Sequence, residues 1–168
     1  MKKELLLGCG SSRRKLMGLD SLEWEGLVTL DINPAHAPDI LHDLNYLPLP
    51  FADETFDEIH AYEVLEHLGG QGDYHSFFSL FTELHRITKK GGHLYATVPR
   101  WDSQWAWGDP SHKRVITKGT LAFLDQNAYN EQVGKTAMSD FRYIYKVSWT
   151  LKWDKTDGES YMFILEKG

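Results

Sequence analysis

The chain has 168 residues, 42% of them hydrophobic and 25% charged, with a formal net charge of −6; this is the size and composition of one globular domain and argues against disorder. The acidic balance disfavours duplex nucleic acid, which asks for a basic surface; the only basic clusters are Arg13-Arg14-Lys15, Lys89-Lys90 and Lys113-Arg114. With one cysteine, Cys9, and no signal peptide or membrane span, a disulfide-free cytoplasmic protein without a membrane partner is expected.

Leu5-Leu6-Leu7 is a short apolar run stopped by Gly8-Cys9-Gly10, the pattern of a buried parallel strand ending in a glycine turn. A short helix over Ser11 to Leu22 is weakened by Gly18. Leu27 to Leu30 forms a second strand closing on Asp31, and Asp39 to Asp43 a short third. A proline-containing connection, 48–54, leads to a fourth strand over Phe56 to Ala61 and a helix over Glu63 to Leu68 that breaks at Gly69-Gly70. Asp73 caps the next helix, with Tyr74, Phe77, Phe78, Phe81 and Leu84 as its apolar stripe, Lys89-Lys90 at its end and Gly91-Gly92 as its stop.

A fifth strand, His93 to Val98, ends at Pro99. Beyond a tryptophan-rich loop, Thr117 or Thr120 caps a helix through Leu124. Period-two alternation from Phe141 to Leu151 predicts a long strand, which pairs back with Tyr161 to Leu165 around Asp157-Gly158. No repeat or linker divides residues 1–168, so one α/β domain is expected, with a mostly parallel sheet, helices on both faces and an antiparallel C-terminal hairpin strand. Ligands of such sheets bind beyond the carboxyl ends of the strands where strand order reverses, which selects Gly8 to Gly10, Asp31, Asp43, Tyr62-Glu63 and the loop from Pro99.

Gly8-x-Gly10 lets a ligand approach the backbone, but Arg13 replaces the last glycine of a dinucleotide fingerprint, which disfavours a nicotinamide-dependent oxidoreductase. Asp31, 21 residues past Gly10, ends the second strand, where a carboxylate accepts ribose hydroxyl protons; Asp43 follows 12 residues later, placed to accept from an adenine amino group. Leu5 to Ser11 resembles motif I of class I S-adenosylmethionine (SAM) dependent methyltransferases. Asp31 matches their ribose-binding acid, and Asp43-Leu44 their adenine-side motif. Leu47 to Asp57, Glu63-Val64-Leu65-Glu66-His67, and Glu83 to Ile87 with Lys90-Gly91-Gly92 are similar to the ordered segments that follow in that family, closely over residues 4 to 99. The resemblance implies a Rossmann-like seven-stranded SAM-methyltransferase fold, SAM as cofactor, and Gly8, Cys9, Gly10, Asp31, Ile32, Asp43, Leu44 and Glu63 as its binding positions. It departs from the family in starting motif I by residue 5, so the usual N-terminal helical cover is expected to be missing.

On a helix, Glu63, Glu66 and His67 share one face beside the expected methyl group, and the Asp109-Pro110-Ser111-His112 loop brings His112 to the same place. Two carboxylates and two imidazoles could hold a divalent cation; the Glu63 to His67 segment resembles that of metal-dependent O-methyltransferases, a resemblance that implies magnesium or a similar ion. Without a metal, the same letters cap the helix, and His67 or His112 serves as catalytic base. Trp101, Trp105 and Trp107 either stack on the acceptor or cover the sheet end as local core, while Trp149 and Trp153 pack the hairpin. The remaining histidines show no convergent spacing, and Cys9 is a small turn residue.

These features lead to methyl transfer onto an oxygen (or nitrogen) of a small molecule or terminal sugar; no Asn/Asp-Pro-Pro-Tyr motif, the mark of DNA amino-methylation, follows the fourth strand. The alternative is a SAM-binding subunit that is non-catalytic or needs a partner. Oligomeric state is left open.

Overall fold

Leu5, Leu6 and Leu7 are buried on both sides because they lie in the middle of the sheet. The computed structural model describes all of residues 1–168. Five strands run parallel: β1 (Glu4–Leu7), β2 (Leu27–Asp31), β3 (Ile40–Leu41), β4 (Phe56–Tyr62) and β5 (Thr88–Pro99). The hairpin of β6 (Trp149–Asp157) and β7 (Ser160–Lys167) adds to the β5 edge in the antiparallel sense, giving the order β3-β2-β1-β4-β5-β7-β6. The chain steps outward from β1 through β2 to β3, then crosses to β4 on the other side. The strand-order reversal therefore lies between β1 and β4, and a crevice opens above it. No helix is long and apolar enough to cross a membrane.

On one face, Leu5, Leu7, Ile59, Ala61, Leu94, Ala96 and Val98 meet helix α1 (Tyr74–Ile87) in a core of 28 buried residues. Asp73 caps α1 as expected, its side chain accepting from Ser76 N. Phe77, Phe78 and Phe81 are buried on the stripe, each contributing about 2–3 kcal/mol of apolar burial. Trp149 is fully buried and donates its indole N–H to Phe81 O at 3.0 Å. Short helices α2 (Gln104–Gly108), α3 (Lys118–Ala122) and α4 (Gln126–Gln132) follow β5; Thr117 and Thr120 cap α3 reciprocally.

The other face is polar where helical packing was expected. Glu4, Glu58 and His60 point into it, all buried, and Lys15 is inserted among them, its Nζ 2.8 Å from Glu4 Oε1 and 3.1 Å from Glu58 Oε2. Burial would raise the Glu58 carboxyl, but bonds from His60, Lys2 and Lys15 outweigh it and hold the group well below its usual range. The segment 11–25 lies over this face without a helical turn. Its Leu16 and Met17 amides donate to Tyr62 Oη at 3.3 and 3.2 Å, and Gly18 is so pinched that a Cβ there would meet Ser21 O at 2.2 Å. A chain held by polar sheet residues through its own amides cannot also spend those amides on a helix, which corrects the helix expected over 11–22.

Three boundaries also move. The third strand is only Ile40–Leu41, so Asp43 lies in the turn after it. Helix α1 stops at Ile87, and 88–92 already belong to β5, so Gly91-Gly92 do not end the helix. The alternating run from Phe141 is not strand before Trp149: Ile144 and Tyr145 amides turn back to Phe141 O, and Phe141 and Tyr145 rings pack on Phe78 at 5.1 and 4.8 Å. Gln126 Nε2 takes the Tyr145 and Val147 carbonyls that a neighbouring strand would have used. Trp153, expected in the hairpin core, is 41% exposed.

Candidate active site

Gly8 ends β1 with φ +57, where a side chain is strained, and a Cβ there would lie 2.5 Å from Val64 Cγ2. The glycine thus lets the first turn close onto the segment after β4. Gly10, also left-handed, has open space around it and donates its N–H to Asp31 Oδ2 at 2.8 Å. Asp31 Oδ1 accepts from Asn33 N at 2.7 Å, and His36 Nδ1 lies 3.2 Å from Oδ2. Burial alone would raise this carboxyl, but the Asn33 and Gly10 amides and His36 outweigh it and keep the group ionised below its ordinary range. Each Asp31 oxygen therefore carries a partner that fixes it and still has a lone pair to offer.

Asp31 and Asp43 face the same cleft of about 370 Å³, together with Gly8, Gly10, Ile32 and Leu44. Asp43 Oδ1 is held by the Asn45 backbone and side-chain N–H groups, both at 2.9 Å. His36, His42 and Asn45 also line this cleft. Nothing in their spacing marks His36 and His42; the turn that caps with Asn33 and begins at Pro34 brings His36 back over Asp31. Cys9, expected among the cofactor positions, is buried beneath the turn and does not line the cleft.

Beyond β4 the chain does not form one helix. Glu63 is left-handed at φ +53, and only Leu65–His67 make a short 3-10 turn. Glu63 therefore leaves the shared face: its Oε1 accepts from Ser160 Oγ at 3.0 Å, while its carboxylate still lies against the cleft. Glu66 goes inward, 1% exposed, and neither of its carboxylate oxygens has a hydrogen-bond partner.

The strap 109–115 closes over Glu66. Lys113 N and Arg114 N donate to its main-chain oxygen at 2.8 and 3.1 Å. His112 Nδ1 lies 2.7 Å from Trp105 O, and His67 Nδ1 lies 3.3 Å from Ser111 O. A carbonyl neighbour requires N–H at Nδ1, which leaves Nε2 of each neutral ring as an acceptor. Those Nε2 atoms lie 3.9 and 3.8 Å from Glu66 Oε1, and ligand atoms of Glu66, His67 and His112 all fall within 4.8 Å of one another. Burial, with the Glu63 and Asp109 carboxylates nearby, pushes the Glu66 carboxyl up to about 8. With Nδ1 of each ring turned to a carbonyl, the Nε2 atoms and the Glu66 carboxyl converge in an arrangement that suits a shared proton or a cation between them. His67 also lines the cleft, so this cluster and the Asp31–Asp43 cleft share a wall.

Residues 5–96 match the family described as "Methyltransferase domain". The chain belongs to that family. Among solved structures, a SAM-dependent methyltransferase from Archaeoglobus fulgidus superposes with TM-score 0.62 at 16% identity, over 99% of this chain and 86% of its own. A Haloferax volcanii structure, a complex of the Trm112 methyltransferase activator with a methyltransferase, gives 0.63 at 12% identity over 99% and 82%. The N-methyltransferase NodS from Bradyrhizobium japonicum, in complex with S-adenosylhomocysteine (SAH), gives 0.58 at 13% identity over 99% and 78%. No curated protein matches. The protein is thus a SAM-dependent methyltransferase of the class I, Rossmann-like fold, and the nicotinamide alternative falls away.

Around this methyltransferase site, Trp101, Trp105 and Trp107 are 60%, 54% and 68% exposed, so the local-core alternative for them is corrected. Trp107 Nε1 donates to Trp101 O at 2.8 Å, which orders the loop while leaving the indole faces open. Asp109, at i,i+3 spacing to His112 in the sequence, adds a further carboxylate beside the cluster: its Oδ2 lies 3.7 Å from His112 Nε2.

Proposed function

We propose that this methyltransferase moves a methyl group to an oxygen, or a nitrogen, of a small molecule or a terminal sugar. Asp31 receives the ribose hydroxyls on its free lone pairs, and Asp43 Oδ2 the adenine amino group, with Ile32 and Leu44 against the base. Gly8 and Gly10 keep the first turn free of side chains where the cofactor approaches. Bound SAM supplies the electrophilic methyl, and a divalent cation held by Glu66, His67 and His112 would act as a Lewis acid on the acceptor hydroxyl. In the metal-free form, His67, which lines the cleft, takes the acceptor proton, and His112 supports it at a ring separation of 4.6 Å. Most of the rate then comes from holding acceptor and methyl aligned. The exposed tryptophans offer flat faces for the acceptor.

The observation that carries this reading is the buried, unpartnered Glu66 carboxylate facing two imidazole acceptors beside the cleft. The test is labelled methyl transfer to pools of hydroxylated and amino small molecules and to RNA 3′ ends, with and without chelator. Transfer to a hydroxyl that is abolished by chelator and by Glu66→Gln supports the cation. Transfer that survives exhaustive chelation and His112→Ala removes it.

A second reading, in which the chain works only with a partner subunit, is favoured by Leu41 and Tyr46, exposed by 59% and 72% around the short edge strand β3. Full methyl transfer by the purified chain alone would dismiss it.

A further inference from the structure

Behind Leu44 and Leu68, which it shares with the cofactor cleft, lies a second cavity of about 160 Å³. Leu65, Leu80 and Phe81 give it apolar walls, and one charged group, Arg114, closes it. Arg86, Arg100 and Arg142 each pair with a carboxylate, but Arg114, only 9% exposed, pairs with none. Its Nη2 donates to Asp73 O at 2.6 Å and its Cζ sits 5.0 Å from the Phe77 ring centre. Gly69 is left-handed beside it, and a Cβ there would come within 3.1 Å of Nη2 and 2.3 Å of Ser76 Oγ, so the wall is cut back to admit the guanidinium. Burial pushes this guanidinium below its ordinary range, and the charge of the nearby Asp73 carboxylate, which makes no ion pair with it, only partly offsets the shift.

A guanidinium has five donors in a planar fork that matches a carboxylate. A cavity of roughly 150 Å³ with leucine and phenylalanine walls accepts a body the size of benzene. We propose that this cavity binds an amphipathic carboxylate of about six carbons, its head on Arg114 and its tail between Leu65, Leu80 and Phe81. Asn45 and Ser76 supply the remaining polar wall near the head. Because Leu44, Asn45 and Leu68 border both spaces, an occupant bears on the cofactor cleft, and each ligand changes the affinity of the other by the same factor. The site stands independently of which acceptor receives the methyl group.

The test is calorimetric titration of the full chain with hexanoate, hexanol and inorganic phosphate, with and without saturating SAH. Hexanoate is expected to bind once per chain, at least tenfold more tightly than hexanol or phosphate, and together with SAH. Arg114→Gln should weaken hexanoate at least tenfold. Because that change also loosens the strap, Ser79→Phe supplies the second arm: it fills the cavity from an exposed position on α1 and should abolish hexanoate binding while leaving the unfolding midpoint within a few degrees. Equal affinity for hexanol overturns the role of Arg114. Equal affinity for phosphate overturns the apolar tail. Hexanoate that is displaced by SAH, that binds Ser79→Phe as well as the parent chain, or that does not bind at all overturns the site.

Discussion

Replacing Glu66 by glutamine should stabilise the metal-free protein at alkaline pH. Glu66 is buried and its carboxyl is displaced from about 4.5 to about 8. Between those values the folded chain keeps a proton that the unfolded chain releases, so unfolding is favoured as pH rises. The contribution is fully present below about pH 4.5 and is lost as pH climbs through about 8. At about 1.4 kcal/mol per unit, the displacement corresponds to a loss on the order of 5 kcal/mol across that window. Glutamine keeps the shape and cannot ionise. Urea unfolding from pH 5 to 9 in chelator should therefore show parent and Glu66→Gln nearly equal at the acid end and the variant several kcal/mol more stable at the alkaline end. Without chelator, added manganese or zinc at pH 8 should restore part of the loss in the parent only. Parallel curves for the two chains would refute the assignment of Glu66 as a buried, unpartnered acid.

Gly8→Ala should cost about 2–4 kcal/mol, since it combines left-handed strain with a 2.5 Å approach to Val64, whereas Gly10→Ala, with open space, should cost about 1–2 kcal/mol; urea midpoints compare them. Lys15→Met takes the close cation from buried Glu4, while Glu58 keeps Lys2 at 2.6 Å, and should destabilise by about 3–5 kcal/mol, with partial recovery when Glu4→Gln is added, read by the same unfolding curves. Trp105→Ala removes a half-exposed ring but not the carbonyl that holds His112, so the acceptor KM should rise about tenfold with kcat nearly unchanged in steady-state assays.

Much of the parallel sheet was legible because glycine turns and acidic strand ends punctuate short apolar runs: Gly8 after Leu7 and Asp31 after Leu30. The Asp73 cap and the phenylalanine stripe located α1 for equally local reasons. What escaped the sequence depends on contacts distant along the chain. The second face reads as strand residues in isolation, yet Glu4, Lys15 and Glu58 meet only once β1 and β4 are paired. The Phe141 to Val147 run alternates as a strand does, but its rings are claimed by α1. At the site, Glu66, His67 and the later His112 lie together on a 3-10 turn and the strap above it, but the shared helical face expected to include Glu63 is broken by the left-handed φ of that residue, and a positive φ at glutamate leaves no mark in sequence.

The central claim is that a SAM-type cofactor lies in the Asp31–Asp43 cleft. Calorimetric titration of SAH into the parent chain and Asp31→Asn tests it most directly. One SAH per chain is expected, with the variant weakened about a hundredfold or more, because two charge-assisted bonds of about 1.5–3 kcal/mol each are lost. Affinity for SAH that ignores the substitution, or binding of NAD in its place, would contradict it.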